Sequence, residues 1–164
     1  MIYDDTMKLA KTIQFDISDT QIFERAAAVQ EWAISGTFSF VDSDPDSWPR
    51  KQRLAFRTSW LGIGSFGNST FVQVADISAS EYEQAIEVLA KYLVQKFNAP
   101  NPEAAAEAAR QEIDDMATLC NHPPGTLLAI EREITGQNIT ERTRVLKPAD
   151  KSAHSRIWTI VEDD

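Results

Sequence analysis

The stretch 78–125 constrains the fold most. It reads as two amphipathic helices joined by a short turn marked by proline, with strand-like runs on both sides. Ser78 with Glu81, or Ser80 with Glu83, has capping-box spacing, in which the hydroxyl and the carboxylate each take an orphan backbone N–H. Tyr82, Ala85, Ile86, Leu89, Leu93 and Phe97 then recur at steps of three and four, which puts them on one helix face. Asn101 can cap the second helix, with Pro102 at its first position, where a missing N–H costs nothing. The second stripe is Ala105, Ala108, Ala109, Ile113, Met116, Leu119 and Cys120. Its alanine half predicts close approach to a sheet or to the first helix. Pro123 and Pro124 end the helix, because proline disfavours helical backbone in the residue before it.

Two striped helices need an apolar sheet face to cover. Strands are expected over 8–15, 32–41, 70–75, 126–134, 139–146 and 155–161, with 21–27 as a short strand or one helical turn. In 32–41, Trp32, Ile34, Phe38 and Phe40 alternate with smaller residues, and Gly36 suggests a bulge. The runs 126–134 and 139–146 flank Gly136-Gln137, which suits a two-residue II′ hairpin. That register sets Ile134 against Ile139, Arg132 against Glu141 and Glu131 against Arg142. A shift of one would oppose Glu133 and Glu141, which is repulsive. Strands grouped apart from helices predict an α+β fold: a mainly antiparallel sheet with two or three helices packed on one face, as a single domain over 1–164.

A further helix is expected from 47 or 48 to 61. Leu54, Phe56, Trp60 and Leu61 give it an apolar side, with Phe56 and Trp60 largely buried. Arg50, Lys51, Arg53 and Arg57 place four of the chain's 16 positive residues on its solvent side. Such a run is either a solvated face or an anion- or partner-binding face. Arg50, Arg53, Arg57 and an exposed Trp48 are the candidate binding residues.

After this helix, Gly62, Gly64 and Gly67 match a dinucleotide-binding fingerprint by letter. That mechanism needs a strand before the glycines and a helix after them, so that the helix N-terminus meets the pyrophosphate. The order here is reversed and the fingerprint is rejected. The glycines are expected to end the helix, with a backbone nest for a small anion as the remaining alternative.

The 164 residues carry a formal net charge of −9, a field that repels phosphate backbones and anionic membranes. Neither nucleic acid nor a membrane is therefore an expected partner. No apolar run is long enough to span a bilayer, and no secretory leader is seen. The single Cys suits a reducing cytoplasm. Cys120, His122 and His154 fit no zinc spacing, so no metal site and no cofactor are expected. Cys120 and His122 are the candidate catalytic pair. Against them, the partial negative charge at a helix C-terminus disfavours a thiolate, and Cys120 lies on the apolar stripe.

Thr12-Ile13-Gln14-Phe15-Asp16 with Asp19 and Phe23, Glu31-Trp32-Ala33-Ile34-Ser35-Gly36, and Cys120-Asn121-His122-Pro123-Pro124-Gly125-Thr126 resemble an uncharacterised family of small proteobacterial proteins. The similarity runs over nearly the whole chain, and the last segment is its most specific piece. The resemblance implies a soluble, single-domain bacterial protein and transfers no catalytic or binding residue. Three functions stay open: an accessory or interaction protein with a protein partner or a homodimer, a small-molecule binder with its pocket between sheet and helices, and an enzyme using His122 and Cys120. The first is favoured, because no catalytic constellation is present.

Overall fold

In the computed structural model, residues 7–14, 22–148 and 158–162 are described. The fold is α+β. Strands β1 (Met7–Ile13), β2 (Trp32–Ile34), β3 (Trp60–Gly62), β4 (Asn68–Ser69), β5 (Phe71–Ile77), β6 (Leu127–Thr135), β7 (Asn138–Pro148) and β8 (Trp158–Glu162) form one sheet in the order β4-β3-β2-β1-β5-β6-β7-β8. Every pairing between these strands is antiparallel. Helix α1 (Arg50–Thr58) precedes β3, and helices α2 (Ala79–Phe97) and α3 (Pro102–Leu119) lie between β5 and β6.

The helix pair forms as its sequence dictates. Ser78 and Glu81 close a reciprocal capping box on α2, and the Asn101 side chain accepts from the Ala104 N–H at 2.8 Å to cap α3. Tyr82, Ala85, Ile86, Leu89 and Leu93 are buried from α2, and Ala105, Ala109, Ile113 and Met116 from α3. Ala108, expected on that stripe, is exposed. These side chains share one core with Val72, Val74, Leu128, Ile130 and Val145, which the strand registers place on one sheet face. Fully burying a Leu or Ile stabilises by about 1.5–3 kcal/mol, so this layer dominates the stability. The Tyr82 hydroxyl donates to Asp114 at 2.5 Å and ties α2 to α3.

The hairpin register is as the charges require. Ile134 faces Ile139, Arg132 faces Glu141 and Glu131 faces Arg142. Gly136 takes a positive φ of 64° at the first central position of the turn.

Three elements depart from expectation. The alternating run 32–41 is a strand only to Ile34. Gly36 turns left-handed at φ 78°, and Thr37–Phe40 form a 3-10 turn. The break separates the aromatics. Phe38 packs edge-on against Phe97, whereas Phe40 joins Trp48 and Phe56 in a second cluster with Phe23 and Ala55. Helix α1 starts later than expected because Pro49 holds Trp48 in extended backbone. It ends earlier, at Thr58: the Thr58 and Ser59 hydroxyls bond back to the Leu54 and Ala55 carbonyls, and Trp60-Leu61-Gly62 leaves as a strand. Gly62 closes β3, and Gly64 and Gly67 follow it, so the glycines do not end the helix. Of 21–27, Gln21 lies outside the described residues, Ile22 is helical, and Ala26 makes an isolated parallel bridge to Asn68. The start of the expected last strand, 155–157, also lies outside them.

Arg132 joins the second cluster to the sheet. It shares inward parity with Leu128 and Ile130 and is only 3% exposed. Its Nη1 donates to the Phe56 carbonyl at 2.7 Å, its Nη2 to the Ser35 carbonyl, and its Nε to Thr37 Oγ1 at 2.7 Å and Glu141 Oε1 at 3.1 Å. Burial pulls the guanidinium below its ordinary pKa range, and Glu141 opposes that shift. Removing Arg132 leaves the Phe56 and Ser35 carbonyls without their donor, and each orphaned buried group costs about 1–3 kcal/mol. Arg132→Met should therefore lower the urea-unfolding free energy by about 2–5 kcal/mol. By contrast, Arg110→Ala, which removes the exposed bridge to Glu83, should change it little. Equal effects of the two substitutions would show that Arg132 is not the anchor.

Candidate functional site

The clearest concave surface lies where α1 crosses the β6–β7 hairpin. Two adjoining clefts open there. One, of about 290 Å3, is mainly apolar; Pro45, Trp48, Phe56 and Ile134 line it, with Arg53, Arg57, Arg132 and Glu133. The other, of about 300 Å3, is polar and is lined by Arg57, Thr58, Glu131, Arg132, Glu133, Thr140 and Arg142. Arg57, Arg132 and Glu133 are common to both.

The local sequence explains the floor of the apolar cleft. Asp44 accepts from the Asp46 N–H and starts a 3-10 turn over Pro45–Ser47, which brings Trp48 back onto α1. Trp48 packs against Phe40 and Phe56 with ring centroids 5.6 and 5.1 Å away, and its indole N–H donates to Ser43 Oγ at 2.8 Å. Trp48 is thus 6% exposed, which corrects the expectation that it stands out from the surface. An indole at this position is worth more as packing than as an exposed anchor, because both its ring and its N–H find partners. Phe56 and Trp60 are 3% and 0% exposed, while Arg50, Lys51, Arg53 and Arg57 are all exposed. Arg53 Nε donates to the Trp48 carbonyl at 3.1 Å, so this arginine also holds the turn.

The lining residues contributed by the β6–β7 hairpin were missed from sequence. Glu133 and Ile134 read only as hairpin positions. Arg132 carried a legible signal, since an arginine two residues beyond Ile130 on the same strand falls on the buried face.

The side chains of Cys120 and His122 line different clefts. Cys120 is fully buried and lines a cavity with Met7, Lys8 and Tyr82, whereas the half-buried His122 lines another with Thr140, Glu141 and Thr143. Desolvation pushes the Cys120 thiol up to about 12, so it is neutral at physiological pH. The segment 120–126 has a visible structural task. Gly125 N–H donates to the Val74 carbonyl, Val74 N–H to that of Thr126, and Thr126 N–H to that of Pro123, which sets β6 beside β5. Among the described residues, no group of three or more His, Cys, Asp or Glu side chains could hold a metal ion. Nor is any helix there long and apolar enough to cross a membrane.

The glycine loop holds a carboxylate of the protein itself, through the amide and hydroxyl of Ser65. Glu31 Oε1 accepts from the Ser65 N–H at 2.8 Å, and its Oε2 from Ser65 Oγ at 2.6 Å and the Ala28 N–H at 2.5 Å. A Cβ on Gly62 would lie 2.5 Å from the Glu31 Cδ, so only glycine lets the carboxylate seat there.

Two measurements follow. Alkylation of the folded protein should label Cys120 slowly, with the rate rising sharply on unfolding; fast labelling at neutral pH would contradict the buried neutral thiol. Glu31→Ala orphans the donors of the loop and should cost about 1–3 kcal/mol of unfolding free energy. An unchanged denaturation midpoint would mean that the carboxylate holds nothing in place.

No curated protein and no solved structure matches the chain. A family model matches residues 7–160, and the chain belongs to that family, the Family of unknown function (DUF6505).

Proposed function

We propose that this is an accessory interaction protein, a single acidic domain of the bacterial cytoplasm, in which the face of α1 bearing Arg50, Lys51, Arg53 and Arg57 receives an acidic surface of a protein partner. The observation that carries this reading is the contrast of charge and rigidity at α1. Four exposed cations stand on nine helical residues of a chain whose formal net charge is −9. The helix beneath them is fixed by its aromatic side and by the bond from Arg132 to its Phe56 carbonyl. A rigid element presenting like charges steers and orients an opposite surface at little ordering cost. The acidic balance of the whole chain argues against nucleic acid as that partner.

A homodimer and a small-molecule ligand are the other readings. The polar cleft favours the latter, since Arg57, Arg142, Thr58 and Thr140 around about 300 Å3 could take a small carboxylate or phosphate. A thermal shift with a panel of such acids would reveal it.

The test of the main reading is capture from the native host followed by mass spectrometry, using the wild type and an Arg50→Glu/Arg57→Glu double variant. These two positions are chosen because Arg53 also braces Trp48. A partner retained by the wild type at low salt should be lost from the double variant, with the melting temperature nearly unchanged. A partner held equally by both proteins would remove this face from consideration.

A further inference from the structure

The reading above leaves open what kind of acidic partner fits. We propose that the apolar cleft beside Arg57 takes a single bulky apolar side chain from a linear acidic segment, with Arg53 and Arg57 meeting the flanking carboxylates. This deepens the interaction reading and rests on it.

Size is the first argument. The cleft is about 290 Å3. Ligand pockets run from about 300 to 1,000 Å3 and bury most of a drug-sized molecule. This one lies at the lower edge of that range, so it suits one aromatic or branched side chain better than a metabolite or cofactor.

Lining is the second argument. Pro45, Trp48, Phe56 and Ile134 form apolar walls, and Ile134 keeps 43% of its surface exposed at the hairpin end. An open isoleucine beside a buried indole and phenyl ring is an apolar surface that a partner can complete. The ring packing of Trp48 on Phe56 and the anchoring of Phe56 by Arg132 keep the walls in place, so little ordering is needed on binding. Buried aromatic and arginine groups at the centre of a contact are where binding energy concentrates.

Charge is the third argument and selects the occupant. Arg53 is held at the cleft by its Nε bond to the Trp48 carbonyl, and Arg57 separates the apolar cleft from the polar one. A side chain seated in the apolar cleft therefore has guanidinium groups beside it, which match carboxylates on its neighbours in sequence. Glu133 also lines the cleft and repels a carboxylate there.

The probes are two fluorescein-labelled heptapeptides, Glu-Glu-Asp-Phe-Asp-Glu-Glu and the same peptide with Ala in place of Phe. Fluorescence anisotropy with the full chain should show the Phe peptide binding about tenfold or more tighter than the Ala peptide, a difference of about 1.4 kcal/mol. Ile134→Gln, at a position 43% exposed, should erase most of that difference while the Ala peptide is unaffected and the melting temperature stays near that of the wild type. The Trp48 indole N–H resonance should move with the Phe peptide and not with the Ala peptide.

Equal binding of the two peptides, lost in Arg50→Glu/Arg57→Glu, would overturn the cleft proposal and leave the acidic-partner reading standing. Absence of binding by either peptide, while a host partner is captured and then lost in the double variant, would likewise overturn only the cleft. Absence of both peptide binding and a captured partner would remove both. A concentration-dependent dimer abolished by Ile134→Gln would overturn the peptide occupant in favour of a second copy.

Discussion

The seating of α1 on the sheet depends on one buried guanidinium. Taking an ion out of water costs several kcal/mol, and the cost is offset only when its donors are all used in good geometry. Each of the three Arg132 side-chain nitrogens finds an acceptor, and the acceptors come from three different parts of the chain. The Phe56 carbonyl belongs to the last turn of α1, whose end is short of donors and carries partial negative charge. The Ser35 carbonyl precedes the left-handed Gly36, and Thr37 opens the 3-10 turn. One side chain on the sheet thus terminates a helix, holds a chain reversal and shares its charge with Glu141.

This arrangement explains why α1 can expose so much charge. The second cluster is small, with five buried members among the described residues. Such a cluster would hold a short helix weakly on its own. Anchoring by Arg132 supplies directional bonds where apolar area is limited, and the solvent side of the helix is released from any packing duty. Helices α2 and α3 show the opposite economy. They bury long stripes against the sheet, and the ion pair between them is exposed and dispensable.

What was legible in the sequence was local. The capping box at Ser78, the Asn101 cap and the Gly136 hairpin depend on residues a few positions apart, and their signals survive folding unchanged. The alternating run that begins at Trp32 misled for a physical reason: alternation reports which side chains want burial, not that they share one core. Phe38 and Phe40 serve different clusters because Gly36 turns the chain between them. Trp48 misled because exposure at a helix start was read without the turn that folds it inward. At the site, the arginines of α1 were legible from helical spacing. The cleft was not, since its walls come from Pro45, Phe56 and Ile134. The inward position of Arg132 was visible in strand parity. Its acceptors at Phe56, Thr37 and Ser35 lie 76, 95 and 97 positions away, and no local pattern announces them.

The Glu31 carboxylate in the glycine loop bears on how such letter patterns discriminate. A ligand carried on the same chain acts at an effective concentration of about millimolar or more, without the loss of free translation that a dissolved anion suffers on binding. Any phosphate or nucleotide must outcompete that tethered acid and also strand it without partners. The loop is therefore selective in the negative sense. The Ser65 amide and hydroxyl that could meet an anion are already taken by Glu31, and the same two bonds lock the 28–31 segment against the loop.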